Sequence, residues 1–249
     1  MIVEGCRILI TGASGGIGTA LVKILPPLGC RIGYHVRDFS KGNSAFESIS
    51  GNNIMILQKE FSDSKDSIRL VEEFCSIWGG IDALVQLHGD ASSRQIDELS
   101  DSDWQDTLHT NLVSPFFLSR TAMKIMNKNT HGGRVVLTST ASAKHGGGSD
   151  TIPYGVAKAG IECLVKSLAK EGAPNNILVN AIAPGFIDTT FHTNRLKKSE
   201  KQITTRKKMI PLNRAGTPNE VAQTILFLLS QASTFITGQT IEISGGDWL

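Results

Sequence analysis

Short runs of β-branched and apolar residues alternate along the chain with longer segments whose apolar positions recur every three to four residues. That alternation is the pattern of βαβ units built on a parallel sheet. Strands are expected at 7–11, 31–35, 54–58, 83–87, 133–139, 177–182 and 240–244. Helices are expected near 16–25, 64–77, 103–126, 153–170 and 218–229. A continuous apolar run such as Val135-Val136-Leu137 implies a strand buried on both faces. The pattern predicts a single α/β domain over 1–249 with a doubly wound, seven-stranded parallel sheet. No repeat, linker or low-complexity segment divides it.

Two places break the alternation. Pro26-Pro27 should end the first helix early, because neither ring nitrogen can donate and the residue before a proline avoids the helical region. The segment 186–209 is long, basic and weakly periodic, which predicts a loop or loosely helical lid over a substrate. Within it, between Arg195 and Lys208, the residues Arg195, Lys197, Lys198, Lys201, Arg206, Lys207 and Lys208 are opposed only by Glu200.

Composition narrows the classes. With 249 residues, 40% of them hydrophobic, the chain can bury one sizeable core. A net charge of +2 gives no argument for nucleic acid. Cys6, Cys30, Cys75 and Cys163 lack CxxC spacing and read as reduced packing residues, and no metal site is expected. The opening Met1-Ile2-Val3-Glu4-Gly5-Cys6-Arg7 carries charges where a signal peptide needs an unbroken apolar run. No stretch approaches the roughly 18 apolar residues of a membrane helix. A soluble cytoplasmic protein without membrane partners is expected.

Candidate chemistry lies in two separated motifs. Thr11-Gly12-Ala13-Ser14-Gly15-Gly16-Ile17-Gly18 links a strand to a helix, and so aims backbone N–H groups and a positive helix end at phosphate. Its GxxxGxG spacing differs from the general GxGxxG fingerprint. The second strand should select the dinucleotide. An acidic residue there would accept from a ribose 2′-OH, but Val36 is followed by Arg37, which suits the 2′-phosphate of NADP. Asp38 follows it, and no basic residue stands at Gly15. The second motif is Tyr154-Gly155-Val156-Ala157-Lys158, with tyrosine and lysine on one helix face. An ammonium at about 4 Å in an effective dielectric near 20 gives about 4 kcal/mol, or roughly 3 pKa units at most, in favour of the phenolate.

Taken together, these motifs resemble the short-chain dehydrogenase/reductase family, and the resemblance covers nearly the whole chain. It implies a Rossmann fold, NADP(H) as cofactor, and hydride transfer to a carbonyl carbon while Tyr154 protonates the oxygen. By the same resemblance Lys158 holds the nicotinamide ribose, Asn111 anchors a water-mediated proton relay, and Ser139 orients the carbonyl. Relatives commonly place twelve residues between that serine and the tyrosine, where this chain has fourteen; Ser142 competes for the role with eleven. The extra pair is assigned to the loop around His145-Gly146-Gly147-Gly148, where it should widen the pocket.

Other cofactor contacts implied by the resemblance are Gly12, Ser14, Gly16, Ile17 and Gly18, then Glu60 and Phe61 near the adenine. The family's Asn-Asn-Ala-Gly reads Gln86-Leu87-His88-Gly89, so Gly89 keeps a close backbone approach while the bulk of His88 alters the ribose contact. Pro184, Gly185, Ile187 and Thr189 belong to the segment that closes over nicotinamide. The segment from Arg214 to Ala222 and the C-terminus resemble the 3-oxoacyl-acyl-carrier-protein reductases. That implies a 3-oxoacyl thioester as substrate and possible pairing with acyl carrier protein, although the carrier-docking basic positions fall near His131 and Asn175. A CoA thioester, a sugar or another small carbonyl is the alternative substrate, and a non-catalytic NADP-binding protein the alternative class. The resemblance also implies a homo-oligomer, dimer or tetramer, pairing helices 103–126 and 153–170 and covering Trp248 and Leu249.

Overall fold

All seven strand segments form where the apolar runs place them: β1 (Arg7–Thr11), β2 (Arg31–Val36), β3 (Ile54–Gln58), β4 (Ala83–Gln86), β5 (Gly133–Thr138), β6 (Ile177–Pro184) and β7 (Thr240–Ile243). The structure is a computed structural model that describes residues 5–38, 51–196 and 198–247, without the side chains of His192 and Arg195. Lys197, Trp248 and Leu249 therefore lie outside the described residues. The strands make one sheet in the order β3-β2-β1-β4-β5-β6-β7. Every pair is parallel. The direction of winding reverses between β1 and β4, and in such sheets ligands bind outside the carboxyl ends of the strands at that point.

The helices are α1 (Gly16–Ile24), α2 (Ser64–Trp78), α3 (Asp101–Leu108), α4 (Ser114–Met126), α5 (Ile152–Gly172), α6 (Glu200–Met209) and α7 (Pro218–Leu229). On one face of the sheet α1 and α7 bury Leu21, Val22, Val221 and Ile225 against Ile8, Ile10 and Ile32. On the other, α2, α4 and α5 bury Leu70, Phe74, Leu118, Ile161 and Val165 against Leu9, Leu84 and Val135. At about 25 cal/mol per Å² of apolar area removed from water, these two layers are what hold the sheet. As expected, α1 stops at Ile24, and Pro26–Leu28 form a 3-10 turn.

Two expectations change. The single helix expected at 103–126 is divided by a π-helical turn, His109–Val113. Pro115 at the start of α4 cannot donate to the preceding turn, and the Asn111 side chain donates to the Thr107 carbonyl at 2.9 Å. Both interrupt regular α-helical bonding, and such bulges collect at functional sites. In the segment expected to be a lid a full helix forms, α6, on a capping box in which Ser199 caps the Gln202 N–H and Gln202 returns to Ser199. Four of its 10 residues are basic and none is buried, so periodicity does not reveal it.

The cysteines are free. Burial pushes the Cys6 thiol up to about 12 and those of Cys30 and Cys75 up to about 11, in keeping with packing roles. Cys163 is exposed and is not a packing residue. Among the described residues no helix is long and apolar enough to cross a membrane, and no group of three His, Cys, Asp or Glu could hold a metal ion.

Candidate active site and cofactor cradle

The glycine loop is shaped by contacts that exclude side chains. Gly12 has φ +70°, and a Cβ there would stand 2.5 Å from the His88 nitrogen. One on Gly18 would meet Ala13 at 2.6 Å, and one on Gly16 would meet Thr189 Cγ2 at 2.5 Å. Strand β2 braces the loop from below: the Ala13 N–H donates to the His35 carbonyl at 3.0 Å. The Gly12 N–H donates to His35 Nδ1 at 3.4 Å, while His35 Nε2 donates to the Lys59 carbonyl at 2.8 Å. Burial holds the His35 imidazole down to about 4, so the ring stays neutral with Nδ1 as the acceptor. His35 is a supporting residue that sequence reasoning missed; its only signal was a histidine in the buried stretch Ile32–Val36.

Helix α1 has Gly15 at its N-cap, with no side-chain cap and no acidic residue in its first turn. An uncapped, acid-free N-terminus behind a close-packed glycine turn fits a pyrophosphate. Gly12, Ser14, Gly16, Ile17 and Gly18 are thus brought to one place.

Arg37 follows the last residue of β2, about half exposed, with Nη1 3.7 Å from Asp90 Oδ2. Glu60 is exposed beyond β3. Phe61 turns inward and stacks on His35 with ring centroids 4.5 Å apart.

The Gln86-Leu87-His88-Gly89 departure is absorbed internally. The longer amide of Gln86 doubles back to donate to the His88 carbonyl at 3.0 Å, and Thr138 Oγ1 supplies the link from β5 to the Gln86 carbonyl at 2.7 Å. His88 Nδ1 lies 2.7 Å from Thr11 Oγ1 and Nε2 3.0 Å from Ser114 Oγ. Burial, then the neighbouring His35, Lys158 and His109, hold it well below the ordinary histidine value. Its imidazole is a brace between β1 and α4, and its backbone faces Gly12.

Lys158 and Asn111 converge on Gly89. A Cβ on that glycine would lie 2.8 Å from Asn111 Oδ1 and 3.4 Å from Lys158 Nζ. Asn111, fully buried in the π turn, donates to the Asp90 carbonyl at 2.8 Å. Lys158 Nζ donates to the Thr138 carbonyl at 2.9 Å and sits 5.6 Å from the centre of the Tyr154 ring.

Burial pushes the Tyr154 phenol up to about 12 and the Lys158 ammonium down to about 7. The sequence expectation was the reverse for tyrosine. It is overturned because both groups are desolvated: an ammonium that is itself half neutral near pH 7 cannot offset the cost of a buried phenolate.

Ser139 is also corrected. It is 1% exposed, and its hydroxyl is directed into α5, 3.0 Å from the Lys158 carbonyl and 3.1 Å from Glu162 Oε1. The neighbouring Thr140 has its Oγ1 3.2 Å from Ser142 Oγ and 3.4 Å from the Pro184 carbonyl, on the side of the segment after β6. The glycines before Tyr154 pack against its helix. Gly146 and Gly147 have φ +80° and +78° and press onto α5, where a Cβ on Gly155 would meet the Gly146 carbonyl at 2.5 Å.

The segment after β6 lies over the glycine loop. Gly185 approaches Ser244 closely, since a Cβ there would meet its Cα at 2.8 Å. Ile187 is buried and bridges Gly216. Thr189 rests on Gly16, and the Phe191 ring lies 6.3 Å from that of Tyr154.

A family model described as Enoyl-(Acyl carrier protein) reductase matches residues 12–247. The chain belongs to the short-chain dehydrogenase/reductase family. It is 35% identical over 244 residues to the 3-oxoacyl-[acyl-carrier-protein] reductase of Chlamydia pneumoniae, covering 97% of this chain and 96% of that one. To the reductase of the same name from Escherichia coli strain K12 it is 33% identical over 246 residues, covering 99% and 98%. Nodulation protein G of Rhizobium sp. strain N33 is 33% identical over 244 residues, covering 98% and 97%. The chain is therefore an oxidoreductase of a family that uses nicotinamide dinucleotides, and the seven-stranded parallel sheet is the family's fold.

Proposed function

We propose that the protein reduces a ketone to a secondary alcohol with NADPH, and that the ketone is a 3-oxoacyl thioester. The observation that carries the reading is the convergence of Asn111 and Lys158 on Gly89 beside Tyr154, next to a glycine cradle that fits a pyrophosphate. The reduced cofactor, when bound, supplies hydride to the carbonyl carbon. Tyr154 gives its proton to the carbonyl oxygen, a role served by a phenol that burial keeps protonated. Lys158, titrating near neutrality, stands behind it as the group that can restore that proton. Asn111 holds the loop after β4 so that Lys158 keeps its place. Thr140, supported by Ser142, orients the carbonyl in place of Ser139. The relatives named for 3-oxoacyl thioester reduction support the substrate, as does an apolar roof, Phe191, over Tyr154.

The carrier remains a proposal that rests on fewer cations than the sequence implied. Lys198, Arg206 and Lys207 pair with Asp150, Asp247 and Asp188, while Lys201 and Lys208 on α6 are exposed. His131 is turned to Asp82 at the opposite end of the strands. Acyl carrier protein and CoA thioesters should both be assayed against a neutral ketone, with NADPH and NADH. The expected result is faster turnover of the thioesters with NADPH. Arg37→Ala should then weaken NADPH by roughly 10- to 150-fold, the worth of one charge-assisted contact of about 1.5–3 kcal/mol, without improving NADH. Turnover of the neutral ketone alone would overturn the thioester reading, and equal kcat/KM for the two cofactors the assignment of Arg37.

A homo-oligomer, dimer or tetramer, is part of the proposal. Trp104, Phe116 and Val156 on α3, α4 and α5 are each more than a third exposed, which suits pairing of these helices between copies. Light scattering should give a multiple of 26.8 kDa, and a lone species of that mass would refute it.

A further inference from the structure

One carboxylate ties together three loops at the mouth of the site. Asp150, in the connection just before Tyr154, accepts hydrogen bonds from the Ser93 hydroxyl in the loop after β4 and, at 3.0 Å, from Lys198 Nζ in the lid. The Asp150 carbonyl accepts from the Arg94 N–H at 2.8 Å, and the Arg94 guanidinium is turned to Asp103 at 3.7 Å. Ser93, Asp150, Leu196, Lys198 and Gln202 line an open groove of about 550 Å³. The lid is held at both of its ends by other contacts. Thr189 rests on Gly16, and Arg206 pairs with Asp247. Its middle is held by Lys198, and the turn Phe191–Arg195 transmits that hold because the Leu196 N–H donates to the Phe191 carbonyl at 3.2 Å.

We propose that Asp150 is a positioning residue that latches the lid through Lys198 and Ser93, and so sets how closely Phe191 covers Tyr154 and which alkyl or acyl groups fit beneath it. The pair is only partly exposed, at 34% for Lys198 and 22% for Asp150. The hydrogen bond from Ser93, and then the ammonium of Lys198, hold the Asp150 carboxyl below its ordinary value, so its carboxylate stays ionised throughout the neutral range. The effect on substrate choice rests on the reductase reading; the latch does not.

Hydrogen exchange of the protein without cofactor tests the latch directly, in the parent, Asp150→Asn, Lys198→Gln, the double variant and the exchanged pair Asp150→Lys with Lys198→Asp. Each single variant should speed exchange of the amides in 191–199 by roughly tenfold, the loss expected for one charge-assisted bond. The double variant should add nothing further, the exchanged pair should recover part of the protection, and 218–229 in α7 should be unchanged. Exchange at the parent rate in the single variants, or multiplying effects in the double, would overturn the proposal. Over a series of ketones of increasing chain length, Asp150→Asn should raise KM more than it lowers kcat and flatten the preference among them. Tighter binding of an anionic substrate with unaltered exchange would make Ser93 and Lys198 an anion subsite that Asp150 blocks, and would also overturn the latch. Failure of every ketone in the parent, with the exchange pattern as described, would reject the reductase reading and leave the latch standing.

Discussion

Tyr154→Phe is expected to lower turnover by about 10²- to 10⁴-fold, the usual scale of general acid catalysis, while leaving the fold and dinucleotide binding intact. The substitution removes one oxygen from a ring already packed beside Phe191 and Lys158, so no cavity of consequence forms. The pH profile carries the same information. With the phenol held up near 12, its protonated form persists across the neutral range, and a limb of kcat/KM near 7 belongs to Lys158. In Lys158→Met that limb should vanish together with most of the turnover. Single-turnover rates and dinucleotide binding by fluorescence separate the two effects. A Tyr154→Phe protein with near-normal kcat would remove the proposed acid altogether.

The fold was legible because a parallel sheet buries both faces of its strands. Val135-Val136-Leu137 and Ile177-Leu178-Val179 are apolar without alternation, and only a central strand accommodates that. The glycine loop was legible for a similar reason: Gly12 and Gly16 each sit where a side chain would collide with His88 or Thr189. Elsewhere the deciding interactions lie between residues distant in the chain. Nothing near His88 announces that Thr11 and Ser114 will take both of its nitrogens. The π turn depends on Asn111 reaching Thr107 and Asp90. Helix α6 left a local trace in the Ser199 and Gln202 capping box, but its lack of a buried face hid it from periodicity.

The serine assignment failed on a finer scale, because adjacent residues at the end of a strand point to opposite faces and a spacing count uncertain by one residue cannot choose between them. That choice yields a sharp expected result. Thr140→Val replaces a hydroxyl by a methyl at nearly constant volume. If Thr140 orients the carbonyl, kcat should fall by about 10²- to 10³-fold, the cost of removing one donor aimed at developing negative charge. Thr140→Ser keeps the hydroxyl and should retain most of the activity, which separates the lost donor from any disturbance of packing. Ser139→Ala should act through stability instead. It removes the buried hydroxyl beside the Lys158 carbonyl and Glu162, a change worth about 1 kcal/mol in the unfolding free energy, with kcat within about threefold of the parent. Measuring both rates and both denaturation midpoints gives a two-by-two result. A large rate loss in Ser139→Ala with Thr140→Val unaffected would restore Ser139 to the catalytic site, and would require its side chain to rotate out of α5 when substrate binds.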